Sequence, residues 1–171
     1  MKTSAFLFAS AAAALFTLST TRPAHALGPI DLEIAGKAGY GSEDLGFGFG
    51  GRAGVSIFGL YGGLNLVDYL GKSQGSVTVH SLEFGGEVGF GIKISFLTIR
   101  PQLGFGDITA SASGVPGASS FYLEPGGLLQ FSFGHLIFGV DAGCLIVTSG
   151  EGASSGVSEA FTMHGQVGVR F

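Results

Sequence analysis

Cysteine is nearly missing from this 171-residue chain, tryptophan is absent, and charged side chains make up only 12% of it. The one cysteine, Cys144, has no partner within the chain, so no disulfide scaffold holds the fold. Charge this sparse, beside 46% hydrophobic residues and 16 Phe, is the reverse of the disordered signature. The 32 glycines follow no three-residue period, which excludes collagen. After residue 27 there is no helical periodicity and no apolar run of about 18 residues, so helical membrane spans are not supported.

Motifs of soluble chemistry are equally scarce. Neither a Walker motif, a His-Glu-x-x-His helix, an EF-hand loop nor a paired-cysteine zinc spacing occurs. Gly46-Phe47-Gly48-Phe49-Gly50-Gly51 matches the dinucleotide pattern formally, but it lacks the strand before and the helix after that phosphate binding needs. No cofactor is therefore assigned. His80, His135 and His164 fall in unrelated segments and do not predict a shared metal site.

What is present begins with an address. Met1 and Lys2, the apolar run Ala5 to Leu18, and Ala24-His25-Ala26 read as a cleavable signal peptide over 1–26, with a mature chain over 27–171. Removal leaves Lys37, Arg52, Lys72, Lys93, Arg100 and Arg170 against all 12 acids, a net charge of −6, which argues against a nucleic-acid partner.

The mature chain alternates with period two. Ile30, Leu32, Ile34, Ala38 and Tyr40 share one parity, while Asp31, Glu33 and Lys37 share the other. Leu82 to Ile94, Leu97 to Phe105, Phe121 to Phe133 and Phe161 to Phe171 repeat the pattern, with charge on the second parity. Polar segments near 41–48, 70–78, 107–120 and 148–158 predict long connections. Tight reversals are expected near Ile57 to Gly59, Ser95 to Phe96 and Gly134 to His135, which makes eight strands. Gly50-Gly51, Gly85-Gly86 and Gly126-Gly127 each read as opening a strand, a loose repeat that fits either hairpin duplication or a shared hairpin grammar. The parity slips near Val67–Tyr69 and Val77–Ser81 predict bulges, and Pro101 and Pro125 are expected at strand ends or bulges.

Eight antiparallel strands with one apolar and one polar face close either as a soluble lipocalin-like barrel or as a membrane barrel. The apolar parity carries large Phe, Leu and Ile throughout, too much volume for the interior of so narrow a barrel. The charged parity is rich in glycine, which leaves room for long side chains. The reading is therefore an all-β, eight-stranded antiparallel up-and-down transmembrane β-barrel. Its lumen holds a charge network of Glu33, Lys37, Arg52, Glu83, Glu87, Lys93, Arg100, Glu124, Asp141 and Arg170, with Asp31 on the same parity. That network reads either as a salt-bridged plug, which an eight-stranded barrel favours, or as the lining of a narrow pore. Cys144 shares the parity of Val140 and Ala142 and is expected to face lipid.

The signal segment, the eight alternating segments and the stretch Met163, Gly165, Val167, Val169 and Phe171 resemble the small outer-membrane β-barrels of the OmpA/OmpX type in Gram-negative bacteria. The resemblance implies outer-membrane lipid and lipopolysaccharide as surroundings. It also implies that Phe171, Val169 and Val167 form the signal read by the barrel assembly machinery. An interfacial aromatic girdle would rely on Phe and on Tyr40, Tyr61, Tyr69 and Tyr122. Some such barrels are lipid-modifying enzymes, whose deacylase group uses His and Ser two residues apart; here His80 is followed directly by Ser81. Glu43, Asp44, Asp68, Asp107, Glu151 and Glu159 face only Lys72 in the outer loops, either as a solvated rim or as a site for divalent cations bridging lipopolysaccharide phosphates. The expected role is structural or mediated by surface loops, without enzymatic activity. The alternatives are a narrow channel, a lipid-modifying enzyme and a soluble ligand-binding barrel.

Overall fold

The structure, a computed structural model, describes residues 30–74, 77–112, 115–148 and 157–171; the expected signal segment and Glu151 lie outside the described residues. Ten strands follow in chain order: β1 (Ile30–Gly41), β2 (Gly46–Ile57), β3 (Leu60–Tyr69), β4 (Ser73–Gln74), β5 (Val77–Phe90), β6 (Ile92–Ile94), β7 (Leu97–Ala112), β8 (Val115–Phe133), β9 (Leu136–Thr148) and β10 (Val157–Arg170). Every sequential neighbour among the long strands pairs antiparallel, β5 pairs with β7, and β10 returns to β1. The result is a closed barrel of eight strands, with β6 continuing the β5 wall and β4 a short outer addition. Closure satisfies each backbone donor from a neighbouring strand and leaves no edge within the wall, as hydrocarbon requires.

Three two-residue turns join strands at one end. Phe58 and Gly59 both have positive φ, 51° and 86°, the sign pattern of a type I′ turn, whereas Ser95 and Gly134 are positive at the first position only. These are the three reversals expected from the sequence.

The other end differs from expectation in two places, and the strand interiors in a third respect. Residues 42–45 form a tight turn, not a long loop, because Leu45 tucks into the barrel mouth and Gly46 begins β2. The segment 107–120 is mostly sheet: β7 and β8 run together beyond β9 and β7 stays paired with β5 as far as Val79↔Ala112, with a register shift between Ala110 and Ala112. The glycine pairs at 50–51, 85–86 and 126–127 stand inside β2, β5 and β8 and open none of them.

Register is continuous through Val67–Tyr69 and through Ser81, without a bulge. Val67 and Tyr69 are apolar yet face inward, completely buried, because the lumen is not polar along its whole length. Neither proline marks a strand end or a bulge. Pro101 lies within β7 where the ladder to β5 and β6 is interrupted, and Pro125 lies within β8 where the ladder to β9 is interrupted. In each case the opposite side of the strand keeps its register, so a missing N–H costs one rung without shifting the sheet.

Side chains sort by parity around the wall. Leu64, Phe84, Phe90, Leu129, Phe131, Phe133, Phe161 and Val167 are exposed on the outside, whereas Glu33, Lys37, Arg52, Glu83, Glu87, Arg100, Asp141 and His164 are buried inside. On successive strands the outward series turns polar at the outer end, at Asp68, His80, Asp107, Ser119 and Glu159. Glycine makes this sorting possible. A Cβ on Gly54 or Gly63 would overlap the Tyr61 ring, and one on Gly143 would meet the Glu124 side chain at 2.8 Å. Outward Gly62 has nothing within 4 Å. Gly54→Val is accordingly expected to cost about 1–3 kcal/mol by overpacking, read as a lowered urea midpoint of the barrel in lipid vesicles. Gly62→Val should leave that midpoint unchanged.

Candidate functional site: the barrel lumen

The lumen is built in layers. At the end carrying the two-residue turns, Glu33 of β1 accepts two hydrogen bonds from Arg100 Nη2, at 2.8 and 2.9 Å, across the barrel from β7. Arg170 of β10 adds Nη2 at 2.7 Å and Nε at 3.1 Å to Glu33 Oε1, and Arg52 Nη2 stands 3.6 Å from Oε2. One carboxylate thus gathers three guanidinium groups from three other strands. Arg52 also faces Glu87 at 3.6 Å, and the Tyr61 hydroxyl donates to Glu87 at 3.4 Å. The Tyr61 ring lies under both guanidiniums, 3.9 Å from Arg100 and 4.8 Å from Arg52, so their flat faces pack on an aromatic surface while their edges meet carboxylates.

The next layer is a closed circuit. Lys37 Nζ donates to Asn65 Oδ1 at 3.2 Å, and Asn65 Nδ2 donates to Glu83 Oε1 at 2.6 Å. The Tyr69 hydroxyl stands 3.5 Å from Glu83 Oε2 and 3.0 Å from His164 Nε2. His164 Nδ1 lies 3.0 Å from Asp141 Oδ1, which is also 3.4 Å from Lys37 Nζ. Beside this ring the Thr162 hydroxyl donates to Glu124. Above it, Leu45, Val67, Tyr69, Ile108, Tyr122, Leu145 and Ala160 form an apolar cluster at the outer end.

Of the ten residues expected in the charge network, nine stand in these layers. Lys93 does not: its side chain is 51% exposed at the mouth, where it pairs with Asp31 at 2.5 Å. It follows the inward parity, but β6 lies at the end of the wall, where inward means toward water. The tyrosines show a larger departure. Tyr61, Tyr69 and Tyr122 are completely buried in the lumen, and only Tyr40 faces outward, so the girdle rests on Phe and Tyr40. Asn65, Tyr61, Tyr69, Thr162 and Gln130 also belong to the lumen. Their shared parity with the charged residues was the available signal.

Beyond the wall, Lys72 lies 5.4 Å from the Tyr40 ring, and hydrogen bonding to the Tyr40 hydroxyl raises its pKa above the ordinary lysine value. Glu43 and Asp44 occupy the turn after β1, and Asp68, Asp107 and Glu159 sit on strands. The histidines stand apart: His80 is exposed on β5, His164 is inside, and His135 Nδ1 lies 2.9 Å from the Arg170 carbonyl oxygen at the opposite end. Among the described residues no group of three His, Cys, Asp or Glu converges on a metal geometry. Phe171 continues the β10 ladder, exchanging backbone bonds of 2.9 Å with Leu32, and its ring centroid lies 5.9 Å from that of His135, tilted by 30°.

Breaking a buried pair strands its partners in a low-dielectric interior. Glu33→Ala is expected to cost about 3–5 kcal/mol, and Lys93→Ala, at the wet mouth, about 1 kcal/mol or less, both read by urea unfolding in vesicles.

Solved structures share this architecture. Neisserial surface protein A matches with a TM-score of 0.56 and 14% identity over 84% of this chain and 96% of its own. The N-terminal β-barrel domain of Pseudomonas aeruginosa OprF matches at 0.56 and 13%, over 82% and 97%. Ail, the attachment invasion locus protein of Yersinia pestis, matches at 0.52 and 17%, over 83% and 96%. No protein-family model matches the chain, and no curated protein does. The fold is that of the small eight-stranded outer-membrane barrels.

Proposed function

We propose that this chain is an integral outer-membrane protein, closed to solute flow, that works through the sheet it raises beyond the membrane rather than through its lumen. The observation that carries the reading is the length of β7 and β8, Leu97–Ala112 and Val115–Phe133, against the roughly 9–11 residues a membrane-spanning strand needs. Their outward series is apolar up to Phe105 and Phe121 and turns polar at Asp107 and Ser119. The excess therefore stands in water as a hairpin, supported on one side by the start of β5 through the pairs His80↔Ser111 and Ser81↔Ala110. The buried ion pairs and the apolar cluster above them support a closed lumen, since Glu33, Lys37, Arg52, Glu83, Glu87, Arg100 and Asp141 are all buried, with Arg170, at the turn end, partly exposed.

The same reading proposes the surroundings. Outer-membrane lipid and lipopolysaccharide would contact the Phe-rich exterior. Phe171, Val169 and Val167 at the closing seam between β10 and β1 would serve as the signal for the barrel assembly machinery. In this reading the chain is not an enzyme and works by surface contact, the kind of role that the names of Neisserial surface protein A and Ail state for those proteins.

Two measurements test it. In planar bilayers the purified barrel should show no discrete conductance steps, and a stable step that Glu33→Ala enlarges would move the assignment to a pore. Replacing residues 109–118 with Asn-Gly should leave heat-modifiable gel migration unchanged, because it removes only the outermost rungs to β5 and keeps β5 and β7 paired from Glu83↔Ile108 inward. Loss of the folded band would make the hairpin part of the barrel instead.

A further inference from the structure

We infer that Phe58, at the tip of the turn between β2 and β3, anchors the barrel in the leaflet on the side of the two-residue turns, with its ring at the boundary between headgroups and acyl chains. The inference rests on the outer-membrane placement of the barrel and goes beyond the aromatic girdle, whose members stand on strands. Phe58 is 79% exposed, more than any other large apolar side chain among the described residues. It is also held at a φ of 51°, in the left-handed region that a bulky side chain rarely adopts. The first central position of a type I′ turn is ordinarily Asn, Asp or Gly. In water, phenylalanine here would carry both a strained backbone and an uncovered ring.

The wall beside the turn points to lipid as the cover. Ile57 and Leu60, the last pair before the turn, are exposed on the outer face, and so is Phe90, which stands opposite Leu60 on β5. The lipid-facing surface therefore continues to the tip without a polar break. Its depth is bounded from both sides. As far as Leu60↔Phe90, β3 is paired on both flanks, which hydrocarbon tolerates. Just beyond, β6 pairs with β7 and, among the described residues, with no other strand, so the backbone groups of its second flank need water or headgroups. The Gly91 N–H, between β5 and β6, donates to the Gly59 carbonyl at 2.7 Å, so the turn and the start of that open edge stand side by side. Phe58 is thus placed where hydrocarbon ends.

The other two turns treat their large side chains differently. Phe96 stacks on Phe131 and Phe133, each at a centroid distance of 6.2 Å, and His135 Nδ1 lies 2.9 Å from the Arg170 carbonyl oxygen. Both lean back on the wall, whereas Phe58 projects from it.

Two readings test the anchor in vesicles of purified phospholipid, which hold no other protein. The first is Phe58→Trp, the only tryptophan in that variant. Its fluorescence should be quenched strongly by phospholipid brominated near the carbonyl end of the acyl chain and weakly by phospholipid brominated near the methyl end. Indifference to both bromines, with acrylamide quenching as strong as in the urea-unfolded chain, would overturn the inference and is what a tip that docks a soluble protein predicts. If Phe84→Trp is quenched by bromine in the same vesicles while Phe58→Trp is not, the wall stands and the anchor falls. The second reading is one of sign. Phe58→Asn makes the turn Asn-Gly, the pair that type I′ geometry favours, so relief of strain alone would lower the urea unfolding constant. The anchor predicts a rise of about tenfold instead, because apolar area leaves the membrane. An unfolding constant unchanged or lowered would also overturn the inference.

Discussion

Everything in this barrel depends on charged side chains finding one another across an interior only a few side chains wide. Glu33 shows the constraint most clearly. It reaches from β1 to Arg100 on the far wall and takes Arg170 and Arg52 from either side, so strands that never pair in the sheet are tied through the middle. Inside the wall Glu33, Arg52 and Arg100 have no water to fall back on, and each unpaired charge would cost several kcal/mol or more. The network therefore selects one register around the whole circumference.

Room for that network is supplied by backbone without side chains. Tyr61 lies over Gly54 and Gly63, Tyr69 against Gly48, and Glu124 against Gly104 and Gly143. Large and absent side chains on adjacent strands complement each other, which lets eight strands close around three tyrosines, four cationic side chains and five carboxylates. The lumen is also graded along its axis. Arginines and two glutamates occupy the end with short turns, a hydrogen-bonded ring the middle, and aliphatic and tyrosine side chains the outer mouth.

The wall was readable because its rule is local. Residue parity is decided two positions at a time, so the inward placement of Glu33, Lys37, Glu83, Arg100 and Asp141 followed from alternation alone. The tyrosines were misassigned because an amphipathic ring suits either a lipid interface or a gap over glycine. Only the pairing of Gly54 with Gly63 across β2 and β3 shows that the gap exists. Ser111, Ala112, Gly117, Ala118 and Ser119 look like loop by composition, yet they lie in β7 and β8, with β5 bracing β7. The prolines read as strand breakers because a one-dimensional pattern cannot show that only one flank of a strand loses a rung. The Tyr69–His164 contact joins residues far apart in the chain and had no signal in the sequence beyond shared parity.

The central claim is the orientation of the wall, with Phe and Leu toward lipid and the charges within. The chain contains no tryptophan, so single reporters can be placed without background. Phe84→Trp, Leu129→Trp and Val167→Trp, each reconstituted in bilayers of brominated lipid, should be strongly quenched relative to the same proteins in unbrominated lipid. Fluorescence indifferent to the bromine at all three positions would place those side chains inside the protein and contradict the account.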